Sequence, residues 1–367
     1  MWAGNNEDFF WFEFSTYLRV VPKTDSTLAF IYFDYPFNNF PQGGVNEAGL
    51  FYDANAVKAS EPKNAKAKVH TSETGRDLLL QMLGKCKSVH DAINLFDEYD
   101  MLIQGAQVHL ADRDGNKGII TTDSSWISYE DFQVSTNYDL SQKDDDYKKC
   151  WRYPIAYSML KNSEPDFKLM GQICDSTSQR RGAHTIYSNV HNLTTGEMWV
   201  YYGSDYENPY KTSFEELASL GDTTILFRDL FHEQTLVKAY NISRKDGFQS
   251  AINFLDTLVD SVEREEKVKL LSLGLLFDIE TFMGSRKLKI VSDDHLIEQM
   301  IEASNDLSLL NLIRNLNVSE INKRKAIQRI EDIQESGINY RIILIVLLIA
   351  ACAFLLYVWL ERRFKKI

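Results

Sequence analysis

With 367 residues, 44% of them hydrophobic and 25% charged, the chain is long enough for one large globular domain and a smaller appendage. A formal net charge of -12, with no basic stripe to neutralise phosphates, excludes a nucleic-acid partner and leaves small molecules as the expected partners. Cys86, Cys150, Cys174 and Cys352 are spread without a CxxC pair or a histidine at zinc-ligand spacing, so neither a metal nor another cofactor is indicated.

From Trp2 to Phe40 the chain is dense in aromatic and β-branched residues, which is strand composition. Pro22 to Asp25 and Pro36 to Pro41 read as turns within it. Two stretches, Gly4-Asn5-Asn6-Glu7-Asp8 and Gly43 to Leu50, put small and carboxamide residues where a strand meets a turn, and sites are built at such strand ends. A strand follows at Gly49 to Asn55, then a polar connection from Ser60 to His70. Thr74 to Asp100 reads as helix in two pieces, with Leu78, Leu79, Met82 and Leu83 on one face of the first and Val89, Ile93, Leu95 and Phe96 on the second; Gly84 stops one and Ser88 caps the other.

Strands resume at Gln107 to Ala111 and Gly118 to Thr122 around the turn Asp112 to Asn116, and Phe132 to Asn137 reads as a further strand ending in Thr-Asn. Lys148 to Leu160 reads as a helix, and Thr185 to Val190 with Glu197 to Tyr202 as a hairpin around Thr194-Thr195-Gly196. The pattern by itself gives an α+β class with mostly antiparallel sheets layered with helices. Beyond Phe231 the periodicity is helical: Phe248 to Val262, Val268 to Phe282, Asp293 to Ala303, Leu307 to Leu316 and Ile321 to Gln334.

Ile342 to Leu360 carries no charge and matches the length of a bilayer-spanning helix, with Tyr340, Tyr357 and Trp359 where interfacial aromatics belong. Arg362, Arg363, Lys365 and Lys366 follow, so the tail is expected in the cytoplasm and the rest outside it, as a single-pass membrane protein. The expected organisation is therefore a domain over residues 1–231, a helical module or stalk over 232–338, a transmembrane helix over 340–361 and a basic tail over 362–367. No basic or apolar leader opens the chain. Cys86 and Cys352 read as small buried hydrophobes, while a bridge between Cys150 and Cys174 stays open.

Gly4 to Asp8, Gly43 to Leu50, Asp53 to Val57, Val134 to Asn137 and Cys150 to Tyr153, in this order, resemble the N-terminal nucleophile hydrolases that cleave linear amides, the choloylglycine hydrolase, penicillin V acylase and acid-ceramidase-like group. The resemblance covers Met1 to Phe231. It implies a four-layer αββα sandwich with the site at one end of the two sheets, no cofactor, and an N-acyl small-molecule substrate. It also implies an N-terminal cysteine whose own α-amino group is the base for its thiol, since that amine titrates near pH 8 and an internal amide nitrogen has no basicity.

By the same resemblance Asp8 orients the nucleophile's amino group, Asn55 and Asn137 donate to the oxyanion, and Arg152 stabilises charge near the site. Asn5 stands, as a substrate-contacting residue, where bile-salt-cleaving relatives carry an arginine, which points away from an anionic head group. Read from residue chemistry alone, Asp8, Asn55 and Asn137 also fit turn residues, and Arg152 a surface ion pair. Asn46 and Glu47 read as turn-forming, and His109, His184 and His191 as structural. The nucleophilic cysteine and its strand are absent ahead of Trp2, so the expectation is a chain shortened at its start and inactive as it stands. An inactive ligand-binding or scaffold protein and an acyltransferase are the alternatives, and the oligomeric state is open.

Overall fold

The computed structural model describes residues 1–9, 12, 14–35, 41–58, 76–98, 105–122, 124–141, 150–180, 183–276, 293–316 and 318–335. The connection from Ser60 to His70, the apolar segment from Ile342 to Leu360 with its basic tail, and Cys352 lie outside these. Among the described residues no helix is long and apolar enough to cross a membrane. The chain divides into two compact units, Met1–Lys238 with Gly274–Ile290, and Ala239–Leu273 with Val291–Ile367.

The first unit contains two antiparallel sheets. One has four strands in the order β1 (Trp2–Phe9), β9 (His184–Asn192), β10 (Glu197–Tyr202) and β11 (Asp205–Ser213). The other has eight, in the order β12 (Thr223–Leu226), β2 (Tyr17–Val21), β3 (Phe30–Asp34), β4 (Gly43–Asn46), β5 (Phe51–Ala56), β6 (Ala106–Ala111), β7 (Lys117–Ile120) and β8 (Ser125–Ser128). The sheets meet through aromatic rings: Phe33 lies 5.5 Å from Tyr187 and Phe51 5.2 Å from His191, centroid to centroid.

Each sheet's outer face is covered by a helix pair. On the eight-stranded sheet, α1 (Arg76–Lys85) and α2 (Val89–Asp97) bury Leu78, Leu79, Met82, Leu83, Val89 and Phe96 against Phe30, Tyr32, Leu50 and Tyr52. Ser88 caps α2 as its sequence implies, accepting from the Asp91 N–H at 3.1 Å. On the four-stranded sheet, α3 (Arg152–Lys161) and α4 (Phe167–Thr177) pack Ala156, Met170, Ile173 and Cys174 onto Val190, Trp199 and Tyr201. The order helix, sheet, sheet, helix is thus the four-layer αββα arrangement. Short helices α5 (Phe214–Ala218) and α6 (Phe227–Leu230) flank β12 in sequence.

Two readings of the sequence are corrected. Gly43 to Asn46, read as part of a turn stretch, is a strand inside the larger sheet; a Cβ at Gly44 would stand 2.6 Å from the Ile31 carbonyl oxygen, so only glycine lets β3 and α1 approach this closely. Phe132 to Asn137 is not a strand: the backbone of 134–137 is irregular, and the ladder partner of β7 is β8 instead. The turn after β4 is held by Asn46, whose Oδ1 accepts from the Ala48 and Leu50 N–H groups while its Nδ2 donates to the Leu83 and Cys86 carbonyls near the end of α1.

The helices α7 (Thr235–Asp246), α8 (Phe248–Leu258), α9 (Ser261–Leu276), α10 (Asp294–Ala303), α11 (Leu307–Asn315) and α12 (residues 320–335) follow in the chain. In the second unit Asp293 caps α10 and Asp306 caps α11, and Asp306 also pairs with the buried Lys269 at 3.1 Å.

Candidate active site

The last residues of β1 and β5 and the first of β9 lie at the same end of the two sheets, and four residues remote in sequence meet there. Asp8 follows a bulge in β1 that shifts its register against β9 between Glu7 and Asp8. Its Oδ2 accepts from Arg152 Nη1 at 2.7 Å and from Gln179 Nε2 at 3.2 Å, and its Oδ1 accepts from the Thr185 hydroxyl at 2.6 Å. The ion pair is largely buried, with side-chain exposures of 13% for Arg152 and 14% for Asp8. Arg152 also donates from Nη2 to Asn137 Oδ1, and Asn137 Nδ2 donates to the Ala56 carbonyl at 2.9 Å. The Arg152 guanidinium therefore ties β1 to the loop that carries Asn137, and the Asn137 amide ties that loop to the end of β5.

Asn55 sits on the half-buried end of β5. Its Nδ2 donates to Asp53 Oδ2 at 3.1 Å, and its Oδ1 accepts from the Ser135 hydroxyl. Behind the loop the fully buried Gln107 of β6 donates from Nε2 to Ser135 Oγ at 3.1 Å and to the Thr136 and Tyr138 carbonyls at 2.9 and 2.8 Å, while its Oε1 accepts from the Leu140 N–H at 3.1 Å. Backbone that no strand partner holds is pinned by one carboxamide. Each of Asn55 and Asn137 has one N–H committed in these contacts and a second with which to meet an oxygen.

Asn5 lies elsewhere. Alternation along β1 places Asn6 on the helix-covered face, where it donates to the Cys174 carbonyl at 2.8 Å, and sends Asn5 and Glu7 into the space between the sheets. There Glu7 confronts Asp53. Burial, then the Asp53 and Asp8 charges, push the Glu7 carboxyl well above its usual range. Burial likewise raises Asp53 to about 7, against the hydrogen bond from Asn55 that favours its ionised form.

His109 and His191 are neutral buried groups at physiological pH: burial pushes His109 down to about 4 and His191 to about 3. Cys86, Cys150 and Cys174 are free, so the bridge between Cys150 and Cys174 is not formed. Burial pushes the Cys86 and Cys174 thiols up to about 12. Cys150 departs from them: burial opposes its ionisation, yet the Arg152 N–H and guanidinium, the Thr136 hydroxyl and the Tyr153 N–H together hold its thiol below the usual range.

The structure thus brings together Asp8, Asn55, Asn137 and Arg152 and sets Asn5 on the inner face. Sequence reading missed Gln107, Gln179, Ser135, Thr185, Glu7 and Asp53. The alternation of Ala3, Asn5 and Glu7 on one face of β1 is a signal that could have found Glu7; Gln179 and Thr185 carry none.

No known family matches the chain by sequence, and no curated protein matches it. Solved structures do. A conjugated bile acid hydrolase of Clostridium perfringens is similar at 14% identity and a TM-score of 0.46, over 61% of this chain and 92% of that one. A penicillin V acylase of Agrobacterium tumefaciens is similar at 12% identity and a TM-score of 0.44, over 61% and 86%. The Caenorhabditis elegans ortholog of N-acylethanolamine-hydrolyzing acid amidase is similar at 16% identity and a TM-score of 0.40, over 53% and 88%. Likeness at this level carries no functional weight; the geometry of the side chains has to carry it.

Proposed function

We propose that this protein is an amide hydrolase of the N-terminal nucleophile type, acting on the linear amide bond of an N-acyl compound. The observation that supports the reading is the convergence of Asp8, Arg152, Asn137 and Asn55 in one hydrogen-bonded group at the sheet ends. In this reading the substrate carbonyl oxygen lies against the second N–H of Asn55 and of Asn137, where a donor is worth about 3 kcal/mol of barrier. Asp8 Oδ1, which takes one hydrogen bond from Thr185, keeps a lone pair to accept from an α-amino group. Arg152 holds both the carboxylate and the loop in place.

The nucleophile of this mechanism is a cysteine at a chain end beside Asp8, whose amine takes the thiol proton. The thiol attacks the acyl carbonyl, the C–N bond breaks with the proton passing to the departing amine, and water then hydrolyses the thioester to the acid. Cys150, which touches Arg152, is internal; its nitrogen is an amide and supplies no base. In this reading the active enzyme presents that cysteine at its mature N-terminus, next to Asp8. The segment from Ile342 to Leu360 would anchor it in a membrane with the hydrolase fold outside the cytoplasm.

The test starts from the whole gene. Its product is recovered from the membrane fraction, its mature N-terminus is read by mass spectrometry, and acid release from a panel of N-acyl amides is measured. The expected result is turnover that Asn137→Ala lowers about a hundredfold in kcat. A product with an N-terminal cysteine that cleaves none of the panel, or turnover indifferent to both Asn137→Ala and Asn55→Ala, would sink the reading and leave a ligand-holding protein of this fold.

A further inference from the structure

The space between two packed sheets is normally filled by apolar side chains. Here its middle is polar. On the inner face of β1 and β9 the register sets Asn5 opposite Asn189 and Glu7 opposite Tyr187, and Asp53 faces them from β5. All five are deeply buried, with exposures of 8% for Asn5 and Glu7, 6% for Asp53 and 1% for Asn189 and Tyr187. Asn5 Nδ2 and Oδ1, Asn189 Nδ2, Asp53 Oδ1 and the Tyr187 hydroxyl have no hydrogen-bond partner among the described residues. A buried polar group left without a partner is costly, so a row of them in one place marks where a bound molecule gains hydrogen bonds.

The charge balance indicates what kind. The charged groups acting on Glu7 and Asp53 are other carboxyls, Asp8 and Asp34; what favours their ionised forms is hydrogen bonding alone, from Tyr35 to Glu7 and from Asn55 and the Ala54 N–H to Asp53. His109, the cross-strand neighbour of Asp53, is held neutral, as is Cys174 from α4. Arg152 is already committed to Asp8 and Asn137. A small cation with several N–H donors offers charge to the two carboxyls and hydrogens to the acceptors of the row, Asp53 Oδ1 and Asn5 Oδ1. The row adjoins the sheet ends: Asp53 Oδ2 is bonded to Asn55 at the half-buried end of β5, one residue from the exposed Ala56.

We propose that Asn5, Glu7 and Asp53 form a binding site for a small primary ammonium compound between the two sheets. In the amidase reading this is where the amine half of the substrate sits, and that placement rests on the reading; the binding itself does not. Occupation pulls both carboxyls into their ionised form and so expels protons.

Calorimetric titration of the full chain with methylammonium chloride at pH 6, in two buffers of different ionisation enthalpy, tests this without any turnover. Saturable binding at millimolar concentrations is expected, with an enthalpy that differs between the buffers because protons are released. Tetramethylammonium, which has the charge but no N–H, should give no such heat. Glu7→Gln and Asp53→Asn preserve shape and should each weaken binding at least about tenfold while the protein melts no lower. The idea is overturned by the absence of saturable heat, by equal binding of tetramethylammonium, or by either variant binding like the parent. Should a variant fail to fold, the comparison of the two ammonium ions on the parent still decides.

Discussion

Asp53 places a titratable acid in the interior beside the site. Its carboxyl titrates at about 7 in the folded chain against 3.8 when unperturbed, so between those values the folded state binds the proton that the unfolded state has lost. The stabilisation is fully present below about pH 4 and is lost as pH rises through about 7. At about 1.4 kcal/mol for each pH unit separating the two values, the loss is at most roughly 4 kcal/mol. Asp53→Asn removes the titration. The variant is therefore expected to gain stability relative to the parent progressively from pH 4 to 7, read from denaturant midpoints across that range; a gap that stays constant with pH refutes the buried-acid account. His109 and His191, whose values are lowered, act in the opposite sense, and their contribution is lost as pH falls below about 6.5. At this scale legibility came from the resemblance. Asp8, Asn55, Asn137 and Arg152 could be nominated because they match its motifs; by residue chemistry alone they fit turn residues and a surface ion pair equally well. Glu7 was legible only through the alternation of β1, and Asp53 not at all, because a strand's composition does not say that the acid it carries points inward.

Among the elements, those with a strong period or a turn signal were readable. The two helices around Ser88 and the hairpin at Thr194-Thr195-Gly196, where Gly196 takes φ of +79°, form where their caps and turns put them. Elements whose residues answer to a distant neighbour were not. β4 looks like a turn because it carries Gly43 and Gly44, which are there to admit Ile31 and Asp53. α4 contains Gly171, where a Cβ would stand 2.5 Å from the Tyr201 hydroxyl. β11 is a polar edge strand carrying Pro209, which a central strand would not tolerate. The loop of Asn137 has a strand's composition, yet its order comes from Gln107, on β6, and not from a ladder. Gln107→Leu leaves the Thr136 and Tyr138 carbonyls without that donor. It is expected to cost about 1–3 kcal/mol in denaturant unfolding and to speed amide exchange at residues 135–140 above that of β6 itself. Exchange unchanged in this loop would show that other contacts hold it.

On the scale of the whole molecule, composition and strand-helix-strand order gave the α+β class, and the layering followed only from the resemblance, since pattern does not say which sheet faces which. The two sheets differ in how far the chain travels to close them. In the larger one β2 to β8 are neighbours in the order in which they occur, whereas β1 reaches β9, its only ladder partner among the described residues, across the chain from Trp2 to Asn192. Loop closure over that span carries a heavy entropic toll, and local pairings outrun distant ones. The consequence concerns time: the meander assembles early, the β1–β9 seam zips late, and Asp8 meets Arg152 only at that last step. Pulse-labelled amide exchange during refolding should find β3 to β7 protected before β1, and competence to bind a ligand at the sheet ends should emerge with the slowest phase, because the site is the knot that fastens the fold.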